Sequence, residues 1–128
     1  MVELKFRAWD KKTQKIFPVK LIYFHHDVVW LPGVEDGCAY TLYRKFDEVE
    51  IMKSTGLKDK NETEIFEGDI VVFRVPNQAI SGVYQIKQAR SGEWRMDNSI
   101  QGRVLAFNLD VVKVIGNIYE NPELMEGV

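Results

Sequence analysis

Short runs of alternating polar and apolar residues follow one another along the chain. In "ELKFRAW", Leu4, Phe6 and Ala8 alternate with Glu3, Lys5 and Arg7, the period-two pattern of a half-buried strand. "DKKTQK" reads as a polar turn, and "IFPVKLIYF" as one or two strands interrupted at Pro18. "HHD" is a polar break before the strand "VVWL", and "PGVEDG" is a cluster of turn residues in which Pro32-Gly33 is expected to end that strand. "AYTLY" is the next strand. "RKFDEVEIMKS" is open to two readings: Phe46, Val49 and Met52 fall three apart, as in a helical turn, while Val49 and Ile51 alternate as in a strand. In the second half, "GDIVVFRV", "GVYQIK", "GEWRM", "RVLAF" and "VVKVI" are five short strands separated by Gly, Asp, Asn or Ser, the spacing of a small barrel or sandwich. "ENPEL" offers Asn121 as an N-cap and Pro122 as the first residue of a closing helical turn.

Between the halves lies "STGLKDKNETEIFEGDIVVF", Ser54 to Phe73. Gly56 and Gly68 suit turns because they accept a positive φ. "KDKNE" is charged enough to be expected in solvent, with Leu57, Ile65 and Phe66 anchoring its ends. Asp59, Asn61 and Thr63 alternate like the first ligands of a calcium loop, but that loop needs glycine at its sixth position and glutamate at its twelfth. Here those are Glu64 and Ile70, so the stretch reads as a structural turn.

Three blocks carry a resemblance. "FRAWDKKTQK" (residues 6 to 15), "TGLKDKNETEIFEGDIV" (55 to 71) and "VIGNIYENPELM" (114 to 125) together resemble the YopX-like family of prophage and phage proteins. The resemblance implies a C-terminal barrel of the SH3 type and a phage or prophage origin. It implies no activity, and no catalytic residue carries over. The family usually has Asn-Gly in the charged turn; this chain has Asn61-Glu62, which weakens a tight type I′ turn and suggests a longer loop.

At 128 residues the chain is one domain or two small subdomains and needs neither disulfide nor metal to fold. No apolar run approaches the length of about 18 residues that a membrane-spanning helix needs. The N-terminus lacks an apolar signal core, and the lone Cys38 suits a reducing compartment, so a cytoplasmic location in a bacterial host is expected. Net charge is −2, which excludes a globally polycationic nucleic-acid binder. Basic residues nevertheless gather in the first hairpin (Lys11, Lys12, Lys15) and in the second half (Arg90, Arg95, Arg103).

Candidate chemistry is sparse. His25-His26-Asp27 is the one place for metal or acid–base work, but neighbours on a strand face opposite ways, and only Cys38 is available as a further soft ligand or a nucleophile. The carboxylates Glu62, Glu64, Glu67 and Asp69 are explained by solvation of a charged turn. No phosphate-cradling motif is present, and no cofactor is expected. Arg90, Arg95 and Arg103 with Tyr84 and Trp94 suggest a groove where bases stack and phosphates pair. The competing reading packs Tyr84 and Trp94 in the barrel, and Trp94, flanked by Glu93 and Arg95, points away from both. Trp9, Trp30 and Phe24 are assigned to the N-terminal core. Seven Phe, five Tyr and three Trp exceed what a core needs, so some are expected at a partner or oligomer interface.

The expectation is an all-β protein: an N-terminal β-rich subdomain (1–54) packed against a C-terminal SH3-like barrel (55–128). It is read as a non-enzymatic accessory protein acting through an unidentified protein partner or through homo-oligomers, with no membrane role. The alternative is nucleic-acid binding through Lys11, Lys12, Arg90, Trp94, Arg95 and Arg103.

Overall fold

The computed structural model describes residues 5–79 and 81–126. Leu4, assigned to the first strand by its alternation, lies outside the described residues. Twelve strands and four 3₁₀ turns account for the regular structure, with no α-helix among the described residues. The chain separates into two compact units, one running to Lys53 and one starting at Ser54.

In the N-terminal unit, β1 (Phe6–Asp10) forms a hairpin with β2 (Lys15–Pro18), closed by Gln14 in the left-handed region at φ 59°. β3 (Leu21–Tyr23), β4 (Val28–Glu35) and β5 (Cys38–Lys45) make a three-stranded antiparallel sheet with β4 in the middle. The ambiguous segment satisfies both of its patterns. Phe46–Glu48 is a 3₁₀ turn, and β6 (Val49–Lys58) follows, its first half paired with β1. Ala8, Phe17, Val29, Leu31 and Val49 form the core of this unit.

Pro32-Gly33 does not end a strand, contrary to the sequence pattern. β4 continues to Glu35, with Pro32 opposite Thr41 and Gly33 opposite Tyr40, and the chain reverses at Asp36-Gly37 instead. Two local features permit this. β3 reaches only as far as Trp30, so Pro32 sits where β4 has a neighbour on one side alone, the position in which a missing N–H costs little. Gly33 gives its space to the Tyr40 ring: a Cβ there would fall 2.3 Å from a ring carbon.

In the C-terminal unit, the second half of β6 pairs with β7 (Glu64–Phe66). Then come β8 (Asp69–Arg74), β9 (Ser81–Gln88), β10 (Trp94–Asp97), β11 (Gly102–Val104) and β12 (Val112–Asn117). Their antiparallel sheet has the order β11-β10-β9-β8-β12: a four-stranded meander whose first strand also takes the last strand of the chain. Its core is Ile65, Val71, Phe73, Tyr84, Ile86, Met96, Leu105 and Val112.

Further expectations change here. Gly56 lies inside β6 at φ +76°, where the β6–β7 register shifts, so it makes a bulge and not a turn. "RVLAF" is a strand only to Val104. Leu105–Phe107 turns as a 3₁₀ segment, held by the Asn108 side-chain amide donating to the Val104 carbonyl at 2.7 Å. Finally, "KDKNE" is not wholly solvated, because Asp59 is buried. At the chain's end Pro122–Met125 is the expected helical turn, but the Asn121 side chain accepts the Asn117 N–H and does not cap it.

Candidate interaction surface

Strand pairing in the three-stranded sheet determines which side chains share a face, since directly opposed residues lie side by side. Ile22, Val29 and Arg44 form one row, and Leu31 and Leu42 another; these belong to the inward face, and Val29 and Leu31 are fully buried. The opposite face carries Leu21, Trp30 and Tyr43 in one row, and Tyr23, Val28 and Lys45 in the next. Trp30 and Tyr43 meet edge to face with ring centroids 5.3 Å apart. Leu21, Tyr23, Val34 and Tyr43 are all large apolar residues left exposed, Tyr43 at 59% and Val34 at 72%. A contiguous apolar face of this kind, uncovered by its own chain, is a usual mark of a contact surface.

The end of this sheet adds to it. The β3–β4 turn projects Phe24, 74% exposed, whose ring packs edge to face on Phe46 at 5.9 Å. Below them is an open cleft of about 470 Å³ walled by Phe6, Ile22, Phe24, Phe46, Val49 and Ile51, with Glu50 and Lys53 as its charged members. Trp9 is buried as expected, but Trp30 and Phe24 are not core residues. Strand alternation turns Trp30 outward between the buried Val29 and Leu31, and Phe24 sits in a turn, where its ring meets that of Phe46 and stays largely exposed.

His25 and His26 lie in the same exposed turn, ring centroids 5.0 Å apart, with Tyr23 packed on His26 at 4.9 Å. Cys38 is exposed at the far end of the same hairpin, opposite Glu35, whereas the turn histidines precede Val28. The length of β4 between them is about 24 Å at the usual rise per residue, so no thiol–imidazole pair forms. Among the described residues no group of three or more His, Cys, Asp or Glu is placed to hold a metal ion. No described helix is long and apolar enough to cross a membrane.

The basic-aromatic set does not converge on a groove. Tyr84 is fully buried in the core, and Trp94 packs on that core from its edge. Arg103 is opposed to the buried Met96, and its guanidinium lies 4.6 Å over the Phe73 ring. Arg95 is adjacent to Met96 on β10 and so projects to the other side of the sheet, between Glu93 at 3.6 Å and Asp97 at 3.4 Å. Arg90 is exposed in the β9–β10 turn. In the N-terminal hairpin, Lys11 meets Glu50 at 3.3 Å and Lys12 meets Glu48 at 2.6 Å. Hydrogen bonds from Lys12 and the Lys45 backbone hold the Glu48 carboxyl below its usual range.

Three carboxylates are buried among the described residues, Asp10, Asp59 and Asp69. Asp69 is therefore not a solvated turn residue as its charged surroundings suggested; its Oδ2 accepts the Phe66 N–H at 2.8 Å. Asp10 and Asp59 each join segments distant in sequence. Asp10 is fully buried at the end of β1 and bonds the Arg44 Nε at 2.9 Å and the Thr13 hydroxyl at 2.6 Å. Burial alone would raise its pKa; the hydrogen bonds and charge of Arg44, with help from Thr13, outweigh that and hold it below the ordinary carboxylate value. The ion pair fixes Arg44 on the inward face, leaving Tyr43 and Lys45 to the outer one. In the C-terminal unit, Asp59 Oδ1 accepts the N–H groups of Asn61 and Thr63, at 2.8 and 2.9 Å, and Oδ2 accepts that of Val114 at 2.8 Å. Asp59 thereby ties the β6–β7 loop to β12.

Comparison with known proteins places the chain. The family described as YopX protein matches residues 5–126. The crystal structure of protein EF1440 from Enterococcus faecalis is similar with a TM-score of 0.67 and 31% identity, covering 98% of this chain and 100% of that one. The crystal structure of protein yopX from Bacillus subtilis is similar with a TM-score of 0.69 and 20% identity, over the same shares of each chain. No curated protein matches.

Proposed function

The chain belongs to the YopX family, and from that premise we propose that it is a non-enzymatic accessory protein of a phage or prophage, working in the host cytoplasm by protein–protein contact through the outer face of the β3-β4-β5 sheet. The observation that carries this reading is the row of Leu21, Trp30 and Tyr43, flanked by Tyr23 and Val34, in which Trp30 is half-buried and the other four are exposed. Phage origin rests on the resemblance of the three sequence blocks. The C-terminal unit serves as an SH3-type barrel in this reading; its support is the meander β8 to β11, followed by two 3₁₀ turns and a last strand paired back on β8.

Nucleic-acid binding is less well served by the geometry. A base-stacking platform needs exposed aromatic rings beside unoccupied cations. Here Tyr84 is in the core, Arg95 and Arg103 leave opposite sides of the sheet, and Lys11, Lys12 and Arg95 already face carboxylates. Fluorescence anisotropy with labelled single- and double-stranded oligonucleotides, begun at low salt, separates the two readings. The expected result is no micromolar binding. Tight binding that falls steeply with salt, and that Arg90→Ala or Arg103→Ala weakens, would overturn the contact reading in favour of nucleic acid.

A further inference from the structure

Every sheet in the molecule has two edges, and five of the six described edges are blunted. β3, β7 and β11 have three residues each; β2 has four and ends in Pro18; β12 carries a bulge between Val114 and Gly116. Short length, proline and bulges are the devices by which edge strands avoid pairing with other chains. β5 has none of them. It is eight residues long, contains no proline, runs in unbroken register with β4 from Cys38 to Lys45, and has charge only at its last two residues.

The direction of its backbone groups follows from one hydrogen bond. The Trp30 carbonyl accepts the Lys20 N–H at 2.9 Å, so the backbone of Trp30 addresses the β3 side of β4. In an antiparallel ladder this alternates, and the residue opposite a strand position facing away also faces away. Tyr43 lies opposite Trp30, so Ala39, Thr41, Tyr43 and Lys45 turn their N–H and C=O groups to the open edge, while Tyr40, Leu42 and Arg44 bond to β4. Within the chain, the Lys45 N–H donates to Glu48 Oε1 at 2.8 Å and the Tyr43 carbonyl accepts from the Arg44 guanidinium at 3.2 Å, which leaves the Ala39, Thr41 and Tyr43 N–H groups to the edge. The same parity leaves the missing N–H of Pro32 directed away from β5.

We propose that two copies of the chain pair through this edge, β5 against β5 antiparallel, an inference that rests on the contact reading above and names its partner as a second copy. One register uses all four outward residues, Lys45 through its carbonyl: Ala39 opposite Lys45 and Thr41 opposite Tyr43, with the two-fold axis at Leu42. The contact is isologous, so each pairing occurs twice and the assembly closes at two. Pairing joins the two three-stranded sheets into one of six strands and makes their outer rows continuous, with Tyr43 of each copy beside Thr41 of the other. Charge favours the antiparallel sense. Lys45 ends one side of β5, the acidic turn Glu35-Asp36 adjoins the other, and the two-fold brings each copy's Lys45 toward its partner's acidic turn.

Two readouts test the proposal on the full chain. Sedimentation over a wide concentration range is expected to reach twice the chain mass of 14.9 kDa, and Thr41→Pro is expected to stay monomeric. That substitution removes an outward N–H but no bond to β4, and circular dichroism checks that the variant folds. Hydrogen exchange needs no variant: amides of Ala39, Thr41 and Tyr43 are expected to gain protection as concentration rises, while those of Tyr40, Leu42 and Arg44 stay protected throughout. A chain that remains monomeric at all concentrations overturns the proposal, as does a dimer in which the outward amides exchange freely. A dimer that survives Thr41→Pro but is lost in Tyr43→Ser overturns edge pairing while upholding the outer face as a contact surface, so the two readings fail separately.

Discussion

Asp59 holds three backbone N–H groups with two oxygens. Asp59→Ala is therefore expected to cost roughly 2–4 kcal/mol, the penalty for leaving partly buried donors without partners. Asp59→Asn is not a neutral replacement, because its amide nitrogen would face the Val114 N–H. Denaturant unfolding of the two variants measures both effects. Asp10 makes a different demand, since its carboxyl is titratable and held below its ordinary pKa in the folded chain. The charged form is the one that folding favours. Its contribution is complete above the ordinary carboxylate range and is lost as pH falls through the lower folded value, from about pH 4 downward. Thermal unfolding followed into that range is expected to show an acid-side loss that Asp10→Asn flattens. Arg44→Ala, which strands the buried carboxylate, is expected to cost roughly 3–5 kcal/mol at neutral pH. Neither aspartate was legible as buried: each stands in a run of charged residues, and burial came from partners that are distant in sequence, Arg44 and Val114.

At the scale of elements, hairpins and alternation were readable because a two-residue period and a turn are both local properties. β1, β2, β8, β9, β10 and β12 fall where the apolar alternation places them. The errors arise where a non-local neighbour overrides the local signal. Pro32-Gly33 stays in β4 because β3 is short and the Tyr40 ring occupies the glycine's space. Gly56 stays in β6 because β7 accepts a bulge there. The β6–β7 loop departs from the Asn-Gly pattern of the family resemblance, and the backbone records the consequence. Glu62 takes the left-handed conformation at φ 65° that a glycine would hold without strain. Glu62→Gly is expected to stabilise the chain by about 0.5–1 kcal/mol, the relief of left-handed strain less the added freedom of the unfolded chain. A lower urea midpoint for the glycine variant would contradict that assignment of strain. The outer face was hidden for a related reason. The residue parity of Leu21, Trp30 and Tyr43 is visible in the sequence, but their alignment in one row requires the register of three strands, which alternation alone does not supply.

For the whole molecule, the surplus of aromatic residues is the sequence feature that bears most on function. The structure places much of it on the N-terminal unit, where Tyr23, Phe24 and Tyr43 are exposed. Phe107 and Ile100 are exposed on the C-terminal unit, but as single residues next to turns. Family membership matches nearly the whole chain and carries the fold with it. The proposed function depends on one surface and stands or falls with it. The most direct measurement replaces Tyr43 with a photoreactive phenylalanine analogue in cells that make the protein, with the same analogue at the exposed Lys113 as the reference. The account predicts a discrete crosslinked protein product from position 43, lost when Leu21 and Trp30 are both changed to serine, and none from position 113. No product from position 43, or products equally abundant from both positions, would contradict it.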